Sequence, residues 1–404
     1  MFIKLLQVTA AYKPAYIYGG PTMSVAKLCE ALTDMGPEVN TGVEVLTTTA
    51  NGPEELPVVP GKQIIVDGVP VTYYQRITKD HTHFSPALLH ALWKKIKAHR
   101  LRQAQPDKPT HQLVIHIHAW WNLVSVFSCY LAKWYHIPVV LSPRGMLTPY
   151  TQSNRNSFFK STLHFLIGKS LLRYCHIHAT SEKEKQDILK FITPQSITVI
   201  HNLVNLPVEV QKLNAKHQKQ EDQPFKLLFL SRINVVKGIE VLLDALADLP
   251  FNYQFTIAGS GEETYIESLK LKAKDLKIEN NIDWIGHVHN DKKFELMAKN
   301  DLLILTSVSE NFANVVVESL SVGTPVLLSD QVGLAAYIKE NELGWISSLA
   351  AENIQQEIIN AYHDESRRKR IRTTGPQIIA NDFDQHHVTQ QYLHLYQQII
   401  DGKL

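Results

Sequence analysis

The sequence predicts an α/β fold built from two Rossmann-like, doubly wound units. Three observations predict it. Lys4–Ala11, KLLQVTAA, reads as a buried strand that leads through Tyr18-Gly19-Gly20-Pro21 into a helical pattern, the opening of a doubly wound sheet. Strand-like and helix-like stretches alternate up to residue 205 and begin alternating afresh at residue 225. Between the two series, LPVEVQKLNAKHQKQEDQP (206–224) is polar, carries two prolines and reads as a linker.

The elements follow in order. Pro21 suits a first helical turn, where a missing N–H is harmless, and Gly36 is placed to end the helix MSVAKLCEALTDMG. VEVLTTT (43–49) reads as a strand, and VDGVPVTYY (66–74) as a hairpin turning at Asp67-Gly68. LVIHIHA (113–119) and IPVVLSP (137–143) flank a helix through Ser125–Tyr135. YCHIHATS, a short charged helix (182–191) and SITVIHN complete the first unit, 1–205. In the second, 225–383, strands FKLLFLSRI, YQFTIAGSG, IDWIGHV, DLLILTS and TPVLLSD alternate with helices KGIEVLLDALADL, ETYIESLKLKAKDL, KKFELMAKN and NVVVESLSVG. A last helix within 384–404 presents Val388, Tyr392, Leu395, Tyr396 and Ile399 as an apolar stripe that must be buried somewhere.

Composition narrows the function. The 404 residues suit two domains at roughly 150 residues each. Cys29, Cys129 and Cys175 are odd in number and lack CxxC spacing, which argues against a disulfide framework and a zinc site. The apolar start is interrupted after about nine residues, too early for an export signal, so a cytoplasmic protein is expected. Residues 1–205 hold 21 Lys and Arg against 12 Asp and Glu, a surplus of nine, while the other 20 basic and 27 acidic residues leave a deficit of seven. The basic half therefore suits an anionic partner, or carries unevenly distributed solvated charge. Nucleic acid is not expected, because RRKRIR (367–372) is short and reads as a solvated helix face.

The chemistry concentrates in SVSENFANVVVESLSVGTPVLLSD (307–330). Glu310 follows a buried strand, and Glu318 lies in the helix beginning near Asn314. Backbone N–H groups of Asn311–Val315 at that helix start suit a diphosphate, leaving the two carboxylates for hydroxyls at either end of one ligand. By spacing alone both glutamates equally fit solvated helix-end charges. Arg232 and Lys237, at another strand end and helix start, supply cations for a departing diphosphate. No ligand spacing for a metal and no Asp-x-Asp pair in a loop is read, so neither metal nor other cofactor is expected.

These residues resemble the donor domain of family 4 glycosyltransferases. The family signature, two glutamates separated by seven residues, matches Glu310-NFANVVV-Glu318 followed by GTPV, and its Arg/Lys pair matches SRINVVKG. The resemblance covers nearly the whole chain. It implies the GT-B architecture, in which two doubly wound domains face each other across a cleft and the last helix packs back on the first. It further implies that Arg232 and Lys237 bind the donor diphosphate, Glu318 the ribose and Glu310 the transferred sugar. Asn314 and Val315 would supply backbone N–H groups, and Gly19-Gly20 would approach the diphosphate. His118, ending the strand LVIHIHA, would point at the sugar. His116 shares its strand face one step deeper and reads as a structural histidine. Trp120 and Trp121 either line the acceptor site or pack in the core. Arg144, where many relatives carry histidine, suits an acceptor phosphate or carboxylate, or is structural. Two departures are His201-Asn202-Leu203-Val204 in place of Pro-Asn-Gly-Val, and Asn311 after Glu310.

The expected reaction moves a sugar from a UDP or GDP sugar to a glycan or lipid-linked acceptor, with retention at the anomeric carbon, in surface polysaccharide synthesis. A nucleotide-sugar epimerase of the same fold and a sugar-binding protein remain alternatives. A further expectation is peripheral contact with the inner membrane face. Pro86–Arg102 has Leu88, Leu89, Leu92, Trp93 and Ile96 near helical spacing and a basic face of Lys94, Lys95, Lys97, Arg100 and Arg102. Leucines packed on the sheet are the other reading of that helix.

Overall fold

A computed structural model describes residues 2–103, 111–148, 168–207 and 223–404. The chain divides into two compact units, Met1–Leu203 with Gln385–Leu404, and Val204–Asp384. Of the expected linker, residues 208–222 lie outside the described residues.

The first unit is built on β1 (Phe2–Val8), β2 (Thr41–Thr48), a small ribbon of β3 (Ala50–Asn51) and β4 (Glu54–Glu55), β5 (Gln63–Val66), β6 (Val69–Tyr74), β7 (His111–His118), β8 (Val139–Ser142), β9 (His176–Ala179) and β10 (Ser196–Val199). Its main sheet runs β10-β9-β8-β7-β1-β2-β6-β5. Only β5 pairs antiparallel there, through a turn in which Asp67 and Gly68 both have positive φ, as a type I′ hairpin requires. Alternate residues serve opposite faces. Leu5, Val43, Val45, Val114 and Val140 pack toward the helices Gly20–Val39 and Gln385–Ile400. Leu6, Leu46, Ile115, Ile117 and Leu141 pack toward Pro86–Gln103, Leu123–Trp134 and Lys169–Tyr174. The last helix buries its whole stripe, Val388 to Ile399, in the first of these layers.

The second unit is a parallel sheet of β11 (Phe225–Leu230), β12 (Tyr253–Ala258), β13 (Ile282–Gly286), β14 (Leu302–Leu305), β15 (Val326–Ser329) and β16 (Gly344–Ser347). Its order is β13-β12-β11-β14-β15-β16, around one continuous apolar core. In the first unit strand order reverses at β7 and β1, and in the second at β11 and β14. The crevice beyond the carboxyl ends of such strands is where open α/β sheets bind ligands.

Three expectations need correcting. The first helix does not stop at Gly36; it runs to Val39 and ends where Asn40 turns left-handed and donates to Gly36 O. RRKRIR is not a solvated face. Arg368 is buried, donates to Ala361 O and Tyr362 O, and stacks on Phe225; Arg372 donates to Asn300 O at 3.0 Å. These cations satisfy carbonyls where neighbouring helices end. Finally, Leu88, Leu92 and Ile96 of Pro86–Gln103 are fully buried against the sheet and the Leu123–Trp134 helix, so no apolar stripe remains on that helix to enter a lipid layer.

Candidate active site

In the second unit, the loops after β11 and β14 are locked together. Gly238 adopts φ 64, and a Cβ there would lie 2.3 Å from Thr306 O. Thr306 Oγ1 donates to Gly238 O at 3.1 Å, and Val308 N donates to Val236 O at 2.8 Å. This close approach lets Lys237, on the β11 loop, ion-pair with Glu310, on the β14 loop. Glu310 is held by its own backbone as well: its carbonyl accepts from Gly333 N at 2.8 Å. On the other side, Gly259 packs so tightly that a Cβ would meet Ser231 O at 1.8 Å, and Ile233 N donates to Ser260 O. Arg232, between these two fixed residues, is exposed and forms no ion pair among the described residues.

Glu310 leads through Asn311 and the buried Phe312, which meets Phe383 edge-on at 6.1 Å, into the helix Asn314–Ser321. Ala313, immediately before it, holds φ 72, a left-handed conformation rare for alanine, and no side chain caps the helix start. The N–H groups of the first turn, at Asn314 and Val315, therefore lie beside the Glu310 loop. Glu318 is paired with Lys293 at 2.7 Å, both side chains largely buried. Lys293 was not foreseen; a lysine 25 residues upstream on another helix leaves no sequence signal. The expected residues Lys237 and Glu310 are thus in contact, Arg232 stands free, and Glu318 carries a cation of its own. Among the described residues no cluster of three or more His, Cys, Asp or Glu has the arrangement of a metal site.

In the first unit, Gly19 has φ 66 and ψ −138, open to glycine alone, and caps the helix that Gly20-Pro21 begins. A Cβ on either Gly19 or Gly20 would meet nothing within 4 Å. Packing inside the unit therefore gives no reason for a glycine at 20.

His118 ends β7, but its ring is buried, with 1% exposure. Its Nε2 lies 2.7 Å from Gln7 Oε1 and its Nδ1 3.4 Å from an Arg144 amino group. Arg144 also donates to Asn202 Oδ1 at 3.2 Å, while its Nε is buried without a partner. No carboxylate pairs with it among the described residues. Glu184, close by, is occupied by Gly145 N at 2.8 Å and Thr180 N at 2.7 Å. Burial pulls the Arg144 pKa down, as expected of a cation short of compensation.

Beneath lies a polar chain. Tyr396 and His116 Nδ1 are 2.7 Å apart, His116 Nε2 and Ser142 Oγ 2.7 Å, Ser142 Oγ and His178 Nδ1 2.6 Å, and His178 Nε2 and Ile200 O 2.8 Å. Burial keeps the rings neutral, and with neutral rings one proton arrangement satisfies every pair, because Ile200 O can only accept. His178 donates to it, Ser142 to His178, His116 to Ser142 and Tyr396 to His116. Both rings are neutral, and burial holds His116 well below the usual histidine range and His178 near about 3. His118 is likewise driven well down, by burial first and then by His116 and Arg144. Tyr392 joins the chain at His178 Nε2, 3.0 Å away. Of the tryptophans, Trp120 is core, while Trp121 is half-buried and donates to Met146 O at 2.7 Å.

Comparisons with known proteins match the two units separately. Residues 18–207 match the model of Glycosyltransferase Family 4, and residues 210–378 that of Glycosyl transferases group 1. The uncharacterized glycosyltransferase MJ1607 of Methanocaldococcus jannaschii is 25% identical over 98% of both chains. The lipopolysaccharide core biosynthesis glycosyltransferase LpsE of Rhizobium meliloti is 28% identical, over 50% of this chain and 58% of its own. Among solved structures, Anabaena HepE in complex with UDP and glucose superposes with a TM-score of 0.70 at 18% identity, covering 98% of this chain and all of that one.

Proposed function

Because the chain belongs to the family 4, group 1 glycosyltransferases and has the GT-B fold, we propose that it transfers a hexose from a UDP sugar, with retention and without a metal, to a phosphate-bearing glycan or lipid-linked acceptor of surface polysaccharide synthesis. The observation that carries the donor reading is the Lys237–Glu310 pair, fixed by interlocked loops at the strand-order reversal and beside an uncapped helix start. In this reading Lys237 and Arg232 take the diphosphate, the N–H groups of Asn314 and Val315 add to them, Glu310 accepts from sugar hydroxyls and Glu318 from the ribose. Anabaena HepE, of the same fold, binds UDP and glucose, which supports the choice of base.

The bond from the anomeric carbon to the diphosphate breaks as the acceptor oxygen bonds to the same face. The acceptor proton passes to the leaving phosphate, whose growing charge Arg232 and Lys237 stabilise. Arg144, a half-buried cation without a carboxylate, suits the acceptor phosphate. His118, with its nitrogens engaged by Gln7 and Arg144, positions that guanidinium.

A thermal-shift panel of UDP and GDP sugars tests this. A ligand at 100 times its Kd stabilises by about 2.7 kcal/mol, which is readily detected. UDP sugars are expected to raise the melting temperature with EDTA present, and Arg232→Ala with Lys237→Ala to remove the shift. A shift that survives both changes, or that needs a divalent metal, overturns the donor site. Donor turnover without any acceptor product would identify an epimerase instead.

A further inference from the structure

One face of the first unit has a composition that its own fold does not explain. Pro86–Gln103, Leu123–Trp134 and Lys169–Tyr174 cover the same side of the sheet. Together they hold eight Lys and Arg residues and no Asp or Glu. The middle helix turns Phe127, Tyr130 and Trp134 outward, 38, 45 and 67% exposed. Their spacing of three and four residues makes one stripe. The Tyr130 and Trp134 rings lie 6.2 Å apart, and Phe127 rests on Phe84 at 5.9 Å.

Basic residues flank the stripe on both sides. On one side, Trp93 Nε1 donates to the Tyr135 hydroxyl at 2.8 Å and Arg100 to Tyr135 O at 3.1 Å, tying in the helix of Lys94 and Lys97. On the other, Lys133 donates to Ser170 O at 3.1 Å, between the exposed Lys169 and Arg173. Of the carboxylates at the margin, Glu44 pairs with Lys4 and with Lys95, which removes one of the eight cations, and Asp80 accepts from Thr82.

An exposed aromatic row marks an interaction surface. A second copy of the chain set against this face would bring like charges together. An anionic bilayer offers the opposite sign and, at headgroup level, the half-polar layer that Trp and Tyr rings favour. We propose that this three-helix face docks on an anionic lipid bilayer, with Phe127, Tyr130 and Trp134 entering the headgroup layer and Lys94, Lys97, Lys169 and Arg173 over lipid phosphates. The proposal goes beyond the transfer chemistry, since none of these residues belongs to the donor or acceptor site.

The test is co-sedimentation of the full chain with vesicles of phosphatidylcholine alone or with about 30% phosphatidylglycerol. Binding is expected only with phosphatidylglycerol. It should fall by roughly tenfold or more from about 0.1 M to about 1 M salt, where the screening length shrinks from about 10 to about 3 Å. Tyr130→Ser with Trp134→Ser, and separately Lys97→Glu with Lys169→Glu and Arg173→Glu, should each lower partitioning by roughly tenfold while circular dichroism melting stays unchanged. No binding to the anionic vesicles, equal binding to neutral ones, or wild-type binding by either variant overturns the proposal. So does a dimer in sedimentation velocity that Trp134→Ser dissolves, which would give the face to a second copy.

Discussion

Tyr396 lies 280 residues after His116 in the chain, yet its hydroxyl stands 2.7 Å from that histidine's Nδ1. The last helix is thereby joined to the interior of the first sheet by a directional polar contact as well as by its apolar stripe. Tyr396→Phe keeps the ring and leaves a buried acceptor without its donor, a loss of about 1–3 kcal/mol. The melting temperature of the first unit is expected to drop, while Tyr130→Phe, on an exposed ring, leaves it in place. Equal melting of the two variants would remove the contact from the account.

The neutral histidines set a pH dependence. Burial lowers the pKa of His116, His118 and His178 in the folded chain, whereas the unfolded chain binds protons near pH 6.5. Below pH 6.5 the unfolded state carries more protons, so stability falls as pH falls. Each histidine contributes a slope of about 1.4 kcal/mol per pH unit, and for His178 the window runs from about 6.5 down to about 3. Urea unfolding should give a plateau above pH 7 and a steady decline toward pH 4. A constant stability between pH 7 and pH 4.5 contradicts the neutral assignment.

Glu310→Ala should lower turnover by roughly two to three orders of magnitude, the scale for losing one interaction that grips the reacting end of a substrate. The fold should survive, because the loop is held by Gly333 N, Val308 N and Phe312 rather than by the carboxylate. Steady-state kinetics beside a melting curve separates the two effects; wild-type turnover ends the assignment.

Gly20→Ala separates stability from turnover. A Cβ at residue 20 meets nothing within the unit, so the fold should survive the change. If the glycine is there to admit the donor diphosphate, turnover should fall. A variant that is both stable and fully active refutes a donor role for this loop.

Arg144→Ala should raise the acceptor KM by roughly tenfold or more when the acceptor carries a phosphate, the scale of one charge-assisted hydrogen bond, and leave the donor KM unchanged. Arg144→Lys should recover only part of it, since a lysine cannot reach His118 and Asn202 together with a ligand. An equal effect on a neutral acceptor makes the arginine structural.

Much of this was legible in the sequence, for identifiable reasons. Alternating elements, the Asp67-Gly68 hairpin and the stripe Val388 to Ile399 are local patterns, and local patterns survive into the fold. His116 was readable as structural because strand periodicity set it one step behind His118. Partnerships were not readable. Lys293 on Glu318, Tyr396 on His116 and Arg368 on two helix-end carbonyls join residues with no shared period. Burial of His118 was missed because its place at the end of β7 says nothing of Gln7 on the neighbouring strand. The outward aromatics of Leu123–Trp134 were hidden in a run whose other apolar residues are core.

The return of the last helix also bears on the order in which the protein matures on the ribosome. Val204–Asp384 is one unbroken stretch and can close its core as soon as it has emerged. The first unit, although made earlier, must wait for Val388, Tyr392, Leu395, Tyr396 and Ile399 to cover one side of its sheet. At roughly 5–20 residues per second that wait lasts about ten seconds or longer, during which apolar strand residues and the histidine chain stand uncovered. The segment synthesised first is thus the last to be finished, and the nascent chain's exposure to chaperones and proteases falls on its older half.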